Sequence, residues 1–248
     1  MFNQFWEGLI DLILPRLPEC PLCGRTGRHE GLCPVCREQL DMYWREPTCA
    51  RCGRFLLPYP GASEVVSELC PECSAGGGWP FTAVRAVGPH EGVLREAVQR
   101  LKYGNNRWLA GPLAGLMAEV YHREECFRAA EIILPVPLTG KKLRQRGYNQ
   151  AELLAGELGK LIKLPVLTGV LTKIFDTPSQ AGLSRPERED NLVGAFKLVN
   201  SSAVAGKIIT VIDDVFTTGS TISAAARALA AGGARETVGL TLTTGRYK

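Results

Sequence analysis

The apolar positions between residues 81 and 248 switch between two periods, and the switch points mark the elements. "FTAVRAVG" (81–88) alternates, as a half-buried strand does. In 91–103 the apolar residues Val93, Leu94, Ala97, Val98 and Leu101 fall on one face of a helix, and a second helix is predicted over 109–122. "EIILPVPL" (131–138) reads as a short buried strand punctuated by proline, and 149–162 as a helix. "KIITVIDD" (207–214) is β-branched and apolar on both faces, the mark of a strand inside a parallel sheet. A helix over 221–234 closes on glycines, and 236–244 reads as a last strand. Strand and helix alternate, so this region is expected to be α/β, a mostly parallel sheet with flanking helices.

The first 80 residues follow different rules. Phe2, Phe5, Trp6, Leu9, Ile10, Ile13 and Leu14 are spaced as an amphipathic helix, assigned here to residues 1–19. Its stripe fits packing on the protein's own body; docking on a membrane or partner is the alternative, although Glu7 and Asp11 disfavour anionic lipid. The stretch lacks a basic flank and makes a poor signal peptide. "SAGGGWP" (74–80) reads as a linker. The expected organisation is therefore the helix 1–19, a small cysteine-rich domain over 20–78 and the α/β domain over 79–248.

Eight of the nine cysteines form four C-x-x-C knuckles: Cys20/Cys23, Cys33/Cys36, Cys49/Cys52 and Cys70/Cys73. Two-residue spacing lets two thiolates meet one tetrahedral metal, and zinc takes four sulfurs at about 2.3 Å. Two structural Zn2+ sites are expected, paired either sequentially or as an interleaved cross-brace. A disulfide framework is the weaker alternative, because no export signal is seen. Zinc would also supply folding energy to a segment with few large apolar groups. Cys126 stands apart and reads as a small buried side chain, and His29 as a surface residue.

Charge separates the two regions. Residues 1–80 hold 7 Lys+Arg against 10 Asp+Glu, a net of −3, while the chain as a whole is +4. The basic surplus lies in the α/β region, which should prefer phosphates or nucleic acid. No run of about 18 or more apolar residues occurs, so no integral membrane association is expected, and the reading is cytoplasmic.

The sharpest local signal is "VIDDVFTTGST" (211–221). In parallel sheets, ligands sit at the carboxyl ends of strands, where a loop enters a helix. The helix N-terminus and the hydroxyls of Thr217, Thr218, Ser220 and Thr221 suit a phosphate, and Gly219 allows close backbone approach. It is neither a P-loop nor a dinucleotide-binding G-x-G-x-x-G. Asp213 and Asp214 would repel a phosphate unless they face something else, and vicinal ribose hydroxyls fit. A solvated Asp-Asp turn before a capped helix is the plain alternative.

This stretch resembles the signature of the phosphoribosyltransferases: a hydrophobic strand, two acids and a threonine- and glycine-rich loop. The resemblance implies that Asp213 and Asp214, as the catalytic acids, hold the ribose hydroxyls of phosphoribosyl pyrophosphate (PRPP), that residues 217–221 hold its 5-phosphate, and that Mg2+ accompanies the pyrophosphate. "LPVPLTGKKLRQRGYNQAELLA" from Leu134 and "TPSQAGLSRPEREDNLVGAF" from Thr177, together with the four knuckles, are similar to the ComF family, the competence-associated phosphoribosyltransferase-like proteins of bacteria. The first stretch follows a strand end and carries Thr139, Lys141, Lys142, Arg144 and Arg146; a cationic loop there suits pyrophosphate or an acidic polymer, with a solvated basic turn as the alternative. By analogy it is the pyrophosphate loop. The second implies a hood over the substrate, in which Gln180, Ser184, Arg188 and Asn191 match the family pattern.

Two positions depart from that pattern: Thr139 stands where the family often has histidine, and Phe175 where it often has arginine, leaving Lys173 as the nearby cation. His90 and His122 are expected on helix surfaces. Two functions remain open: a PRPP-dependent transferase, or a competence factor that keeps the PRPP fold as sensor or scaffold while binding single-stranded DNA or a protein of the competence machinery. The acidic zinc region favours a protein partner over phosphates.

Overall fold

The computed structural model describes residues 18–56, 67–76, 78–175 and 194–247. The amphipathic helix assigned to 1–19 lies outside the described residues except at its last positions, and Gln180, Ser184, Arg188 and Asn191 lie outside them altogether.

Four strands form one sheet in the order β1–β6–β5–β2, and every pairing in it is parallel. These are β1 (Ala83–Pro89), β2 (Ile132–Pro135), β5 (Ile208–Phe216) and β6 (Glu236–Thr244). Between β1 and β2 run α3 (Gly92–Tyr103) and α4 (Ala110–Arg123). After β2 come α5 (Gly140–Arg146) and α6 (Gln150–Ile162), and α7 (Ser220–Ala231) joins β5 to β6. A separate antiparallel pair, β3 (Leu171–Lys173) and β4 (Phe196–Leu198), stands apart from the main sheet. In the cysteine-rich region α1 (Pro34–Tyr43) and the single turn α2 (Pro71–Ser74) each start at a proline following a cysteine.

The sheet is covered on both faces, which is why β5 reads as a continuous apolar run. One core gathers Leu94, Leu101, Leu113, Met117, Leu154 and Leu158 from the helices against Ile133, Ile212 and Leu240. The other packs Ile222, Ala225 and Leu229 of α7 against Leu134, Ile209 and Val211. Gly239 in β6 allows α7 to sit close: a Cβ there would lie 3.0 Å from both Ile222 and Val84 side-chain carbons.

The cysteine-rich region packs directly on this body. Cys20, Leu22, Leu40 and Tyr43 join the first core, while Cys49, Cys52, Cys70 and Cys73 join the second. The edge strand β1 is covered by the Cys49–Cys52 knuckle, where the Val84 amide donates to the Arg51 carbonyl at 2.8 Å. Gly53 takes φ +68° against that strand, and a Cβ there would meet the Val84 carbonyl oxygen at 2.3 Å. An otherwise exposed strand edge is thereby occupied. Within the stretch expected as a linker, Trp79 packs against this second core.

Candidate functional site

The carboxyl ends of β1, β2 and β5 open onto one cleft of about 360 Å³. From β5 and its loop come Asp213, Asp214 and Thr217, from the first turn of α7 Thr221, and from α5 Lys142 and Arg146. His90, Lys102 and Lys173 also line it. Parallel strands all point their carboxyl ends the same way, so residues far apart in sequence converge there.

β5 runs to Phe216, so both acids belong to the strand. Asp214 is buried and its Oδ1 lies 3.0 Å from Lys102 Nζ, with the two side chains 13% and 17% exposed. Asp213 is half-buried, and its Oδ1 accepts the Asp214 amide at 2.9 Å. Its acid strength falls sharply: burial and the adjacent Asp214 push it up to about 7, against the pull of the Asp214 amide, Lys102 and Lys173. Lys102 thus offsets part of the acid pair's charge before any ligand arrives, which reduces its repulsion of a phosphate.

The loop after the acids turns at Gly219, whose φ of +78° is the left-handed conformation that glycine adopts without strain. Thr218 and Ser220 hydroxyls lie 2.9 Å apart. Thr218, Gly219 and Ser220 do not line the cleft with Thr217 and Thr221.

The basic stretch expected as a loop is instead the helix α5. Thr139 caps it by accepting from the Lys142 amide at 3.4 Å, and Gly147 ends it at φ +77°. Helical spacing splits the cations by face: Lys142 and Arg146, four apart, line the cleft, while Lys141 and Arg144 are exposed and do not. Thr139 is buried as a cap rather than presented to the cleft. Asn149 fixes the next helix, donating to the Val136 carbonyl at 3.0 Å and accepting the Ala151 amide at 3.0 Å.

His90 is not a surface histidine: Nδ1 lies 2.8 Å from Thr243 Oγ1 at the cleft wall. Burial, then Lys102 and Arg95, lower its pKa, against the pull of Asp214. His122 is exposed as expected, and Cys126 is half-buried, its thiol pushed up by burial. Lys102 lies on the polar side of a helix and reaches the site only through tertiary packing. A basic residue in the last turn of a helix is too common to have flagged it.

Beside the cleft, Arg146 stacks 5.1 Å over the Tyr103 ring and Arg107 4.8 Å over Tyr148. Tyr103 is 68% exposed and Trp108 47%. Of the two stacked rings, Tyr103 is exposed and Tyr148 is buried.

The eight knuckle cysteines gather sequentially, Cys20/Cys23/Cys33/Cys36 and Cys49/Cys52/Cys70/Cys73, with the ligand atoms of each group within 4.8 Å of one another. Amides already point at the sulfurs: Cys33 N–H to Cys20 at 3.4 Å and Cys70 N–H to Cys49 at 3.4 Å. In the second group the Cys52 thiol, against burial, brings Cys49 down to about 4, whereas burial and Cys70 push Cys73 up to about 12. Four thiolates at this distance need a cation between them, and an all-sulfur tetrahedral set suits Zn2+ in a structural role.

Residues 9–74 match the double zinc ribbon domain. The chain is 31% identical over 198 residues to competence protein F of Haemophilus influenzae, covering 78% of this chain and 81% of that protein. It is 28% identical over 221 residues to the DNA utilization protein YhgH of Shigella flexneri, covering 82% and 92%. Among solved structures, the glutamine PRPP amidotransferase of B. subtilis aligns over 58% of this chain and 30% of its own, at 16% identity and a TM-score of 0.40. The protein is thus a zinc-ribbon protein with a parallel α/β body. It belongs to the competence protein F (ComF) family. Among the described residues no helix is long and apolar enough to cross a membrane.

Proposed function

We propose that the cleft at the carboxyl end of β5 binds PRPP or a closely related phosphoribosyl ligand, and that the protein uses this site in the handling of DNA. The observation that carries the reading is the convergence of Asp213 and Asp214 with Lys102, Lys142, Arg146 and Lys173 around one opening. The acids accept hydrogen bonds from the ribose hydroxyls, Thr217 and Thr221 lead into the phosphate loop, and Lys142 and Arg146 meet the pyrophosphate. Mg2+ belongs to this reading as the pyrophosphate's counter-ion. Gln180, Ser184, Arg188 and Asn191 belong to it as the cover implied by the family resemblance. Residues 20–78 serve as the zinc-held platform and 79–248 as the ligand-binding domain.

If the site turns over, the chain's own contribution is positional and electrostatic. Lys142 and Arg146 stabilise charge on the departing pyrophosphate, and the acids fix the sugar so that C1 faces its acceptor. Equilibrium dialysis against the two halves of the ligand tests the assignment. Lys142→Glu should weaken pyrophosphate and spare ribose 5-phosphate, and Asp213→Asn the reverse. Equal losses of both halves in both variants would count against it.

A second activity is favoured by the exposed Tyr103 ring under Arg146, with Lys141 and Arg144 exposed on the same helix as that arginine. Bases stack on aromatic faces while cations follow the backbone, the recognition mode of single-stranded nucleic acid. Salt-dependent DNA affinity should fall on charge reversal at Lys141, Lys142 and Arg144. A partner from the competence machinery would fit the acidic zinc region.

A further inference from the structure

Trp79 joins the second cysteine group to the acid loop, and the contacts run without a gap. Two arginines of that group hold it. Arg51, inside the Cys49–Cys52 knuckle, donates from Nη2 to the Trp79 carbonyl at 3.1 Å. Arg54, two residues after Cys52, places its guanidinium 6.0 Å from the centre of the Trp79 ring and 5.8 Å from that of Phe216. Arg54 is itself fixed: it is 9% exposed and its Nη1 pairs with Glu72 Oε2, at 2.6 Å, inside the Cys70–Cys73 knuckle. One arginine therefore ties together both knuckles of the group and the aromatic layer below the loop.

On its other side Trp79 meets the loop. Its ring stacks on Phe81 at 5.1 Å and tilts against Phe216 at 6.5 Å. Phe216 is the last residue of β5, three before Gly219. A Cβ on Gly219 would lie 2.7 Å from Phe216 Cζ and 2.8 Å from Trp79 Cζ3, so the bare glycine backbone rests on the two rings.

We propose that Trp79 is a positioning residue for the acid loop. Clamped by Arg51 and Arg54, it forms the floor on which Gly219 turns, and so carries the order of the second cysteine group into residues 217–221. The claim about ligand affinity rests on the reading of this loop as a phosphate cradle; the claim about loop order does not. The aromatic wedge thus spans from the metal-held knuckle on the β1 edge to the glycine turn after β5, across the intervening strand β6.

The test is hydrogen–deuterium exchange on the full zinc-loaded chain, with zinc content and thermal midpoint measured on the same samples. Trp79→Ala should speed exchange at amides 217–221 by about tenfold or more, with the β5 amides 208–212 protected and two zinc ions retained. Trp79→Phe should restore most of the protection, and Glu72→Gln, which releases Arg54 without touching Trp79, should reproduce part of the loss. Unchanged exchange at 217–221 in Trp79→Ala, with zinc retained, overturns the proposal. Uniformly faster exchange across β5 in both Trp79 variants also overturns it, because the role would then be general packing. The PRPP reading is separated by titrating the wild type: no PRPP binding there with faster loop exchange in Trp79→Ala removes the ligand and keeps the positioning role. PRPP binding with equal affinity in wild type and Trp79→Ala, at unchanged exchange, does the opposite.

Discussion

Lys102 Nζ stands 3.0 Å from Asp214 Oδ1 with both side chains largely buried, so one of the two acids at the end of β5 is already paired. Removing one partner of such a pair leaves the other charge without compensation in a poorly solvated place. Lys102→Met should therefore destabilise the protein by up to about 3 kcal/mol in urea unfolding, the low end for a buried pair because the cleft still admits water. Adding Asp214→Asn to it should recover much of that loss. A double variant as unstable as the sum of the two singles would show that the pair is not coupled.

Asp213 gives a pH signature. Its folded-state pKa of about 7 lies above the ordinary value of 3.8, so between those values the folded state holds a proton that the unfolded state has released. Its contribution to stability is complete below about pH 4 and is lost as pH rises through about 7. Asp213→Asn should accordingly raise the thermal midpoint relative to wild type at pH 8, with the advantage shrinking toward pH 4. A midpoint difference that is constant across this range would contradict the assignment.

Gly219 combines a positive φ with rings directly beneath it. Gly219→Ala must strain the backbone and displace Trp79 or Phe216, at a cost of about 1–3 kcal/mol. Ligand affinity at the loop should fall with it. Gly111→Ala serves as the control, because nothing lies within 4 Å of the added Cβ and the position is within helix α4, where the change should be neutral or slightly stabilising.

The two cysteine groups predict two zinc ions per chain, lost separately. Cys36→Ser should remove one and Cys73→Ser the other, by metal analysis of the purified protein, and a strong chelator should lower the thermal midpoint. The Cys36→Ser/Cys73→Ser double variant should hold no zinc, and retention of one ion by it would refute the sequential grouping seen here.

Elements were legible where their apolar positions repeat, as in the helices over 91–103 and 149–162 and the strands over 207–214 and 236–244. The acid loop was legible because two adjacent carboxylates followed by hydroxyl residues and a glycine are unusual at a strand end. The helix Gly140–Arg146 was not, since it buries none of its side chains and so leaves no periodic trace. Its only local marks are Thr139 at the cap and Gly147 at the end. Lys102, His90 and Trp79 were missed for another reason. Their places in the site depend on which strands are neighbours, and β1 lies two strands away from β5, across β6. The order of a parallel sheet is a tertiary fact that no local pattern encodes.

The central claim is tested most directly by calorimetric titration of PRPP with Mg2+ into the zinc-loaded chain, beside the Asp213→Asn/Asp214→Asn double variant. Saturable binding by the wild type, lost in a double variant that remains folded, is the predicted result. Absence of binding by folded wild type, or equal binding by the double variant, would contradict it and leave the basic and aromatic surface as the leading functional site.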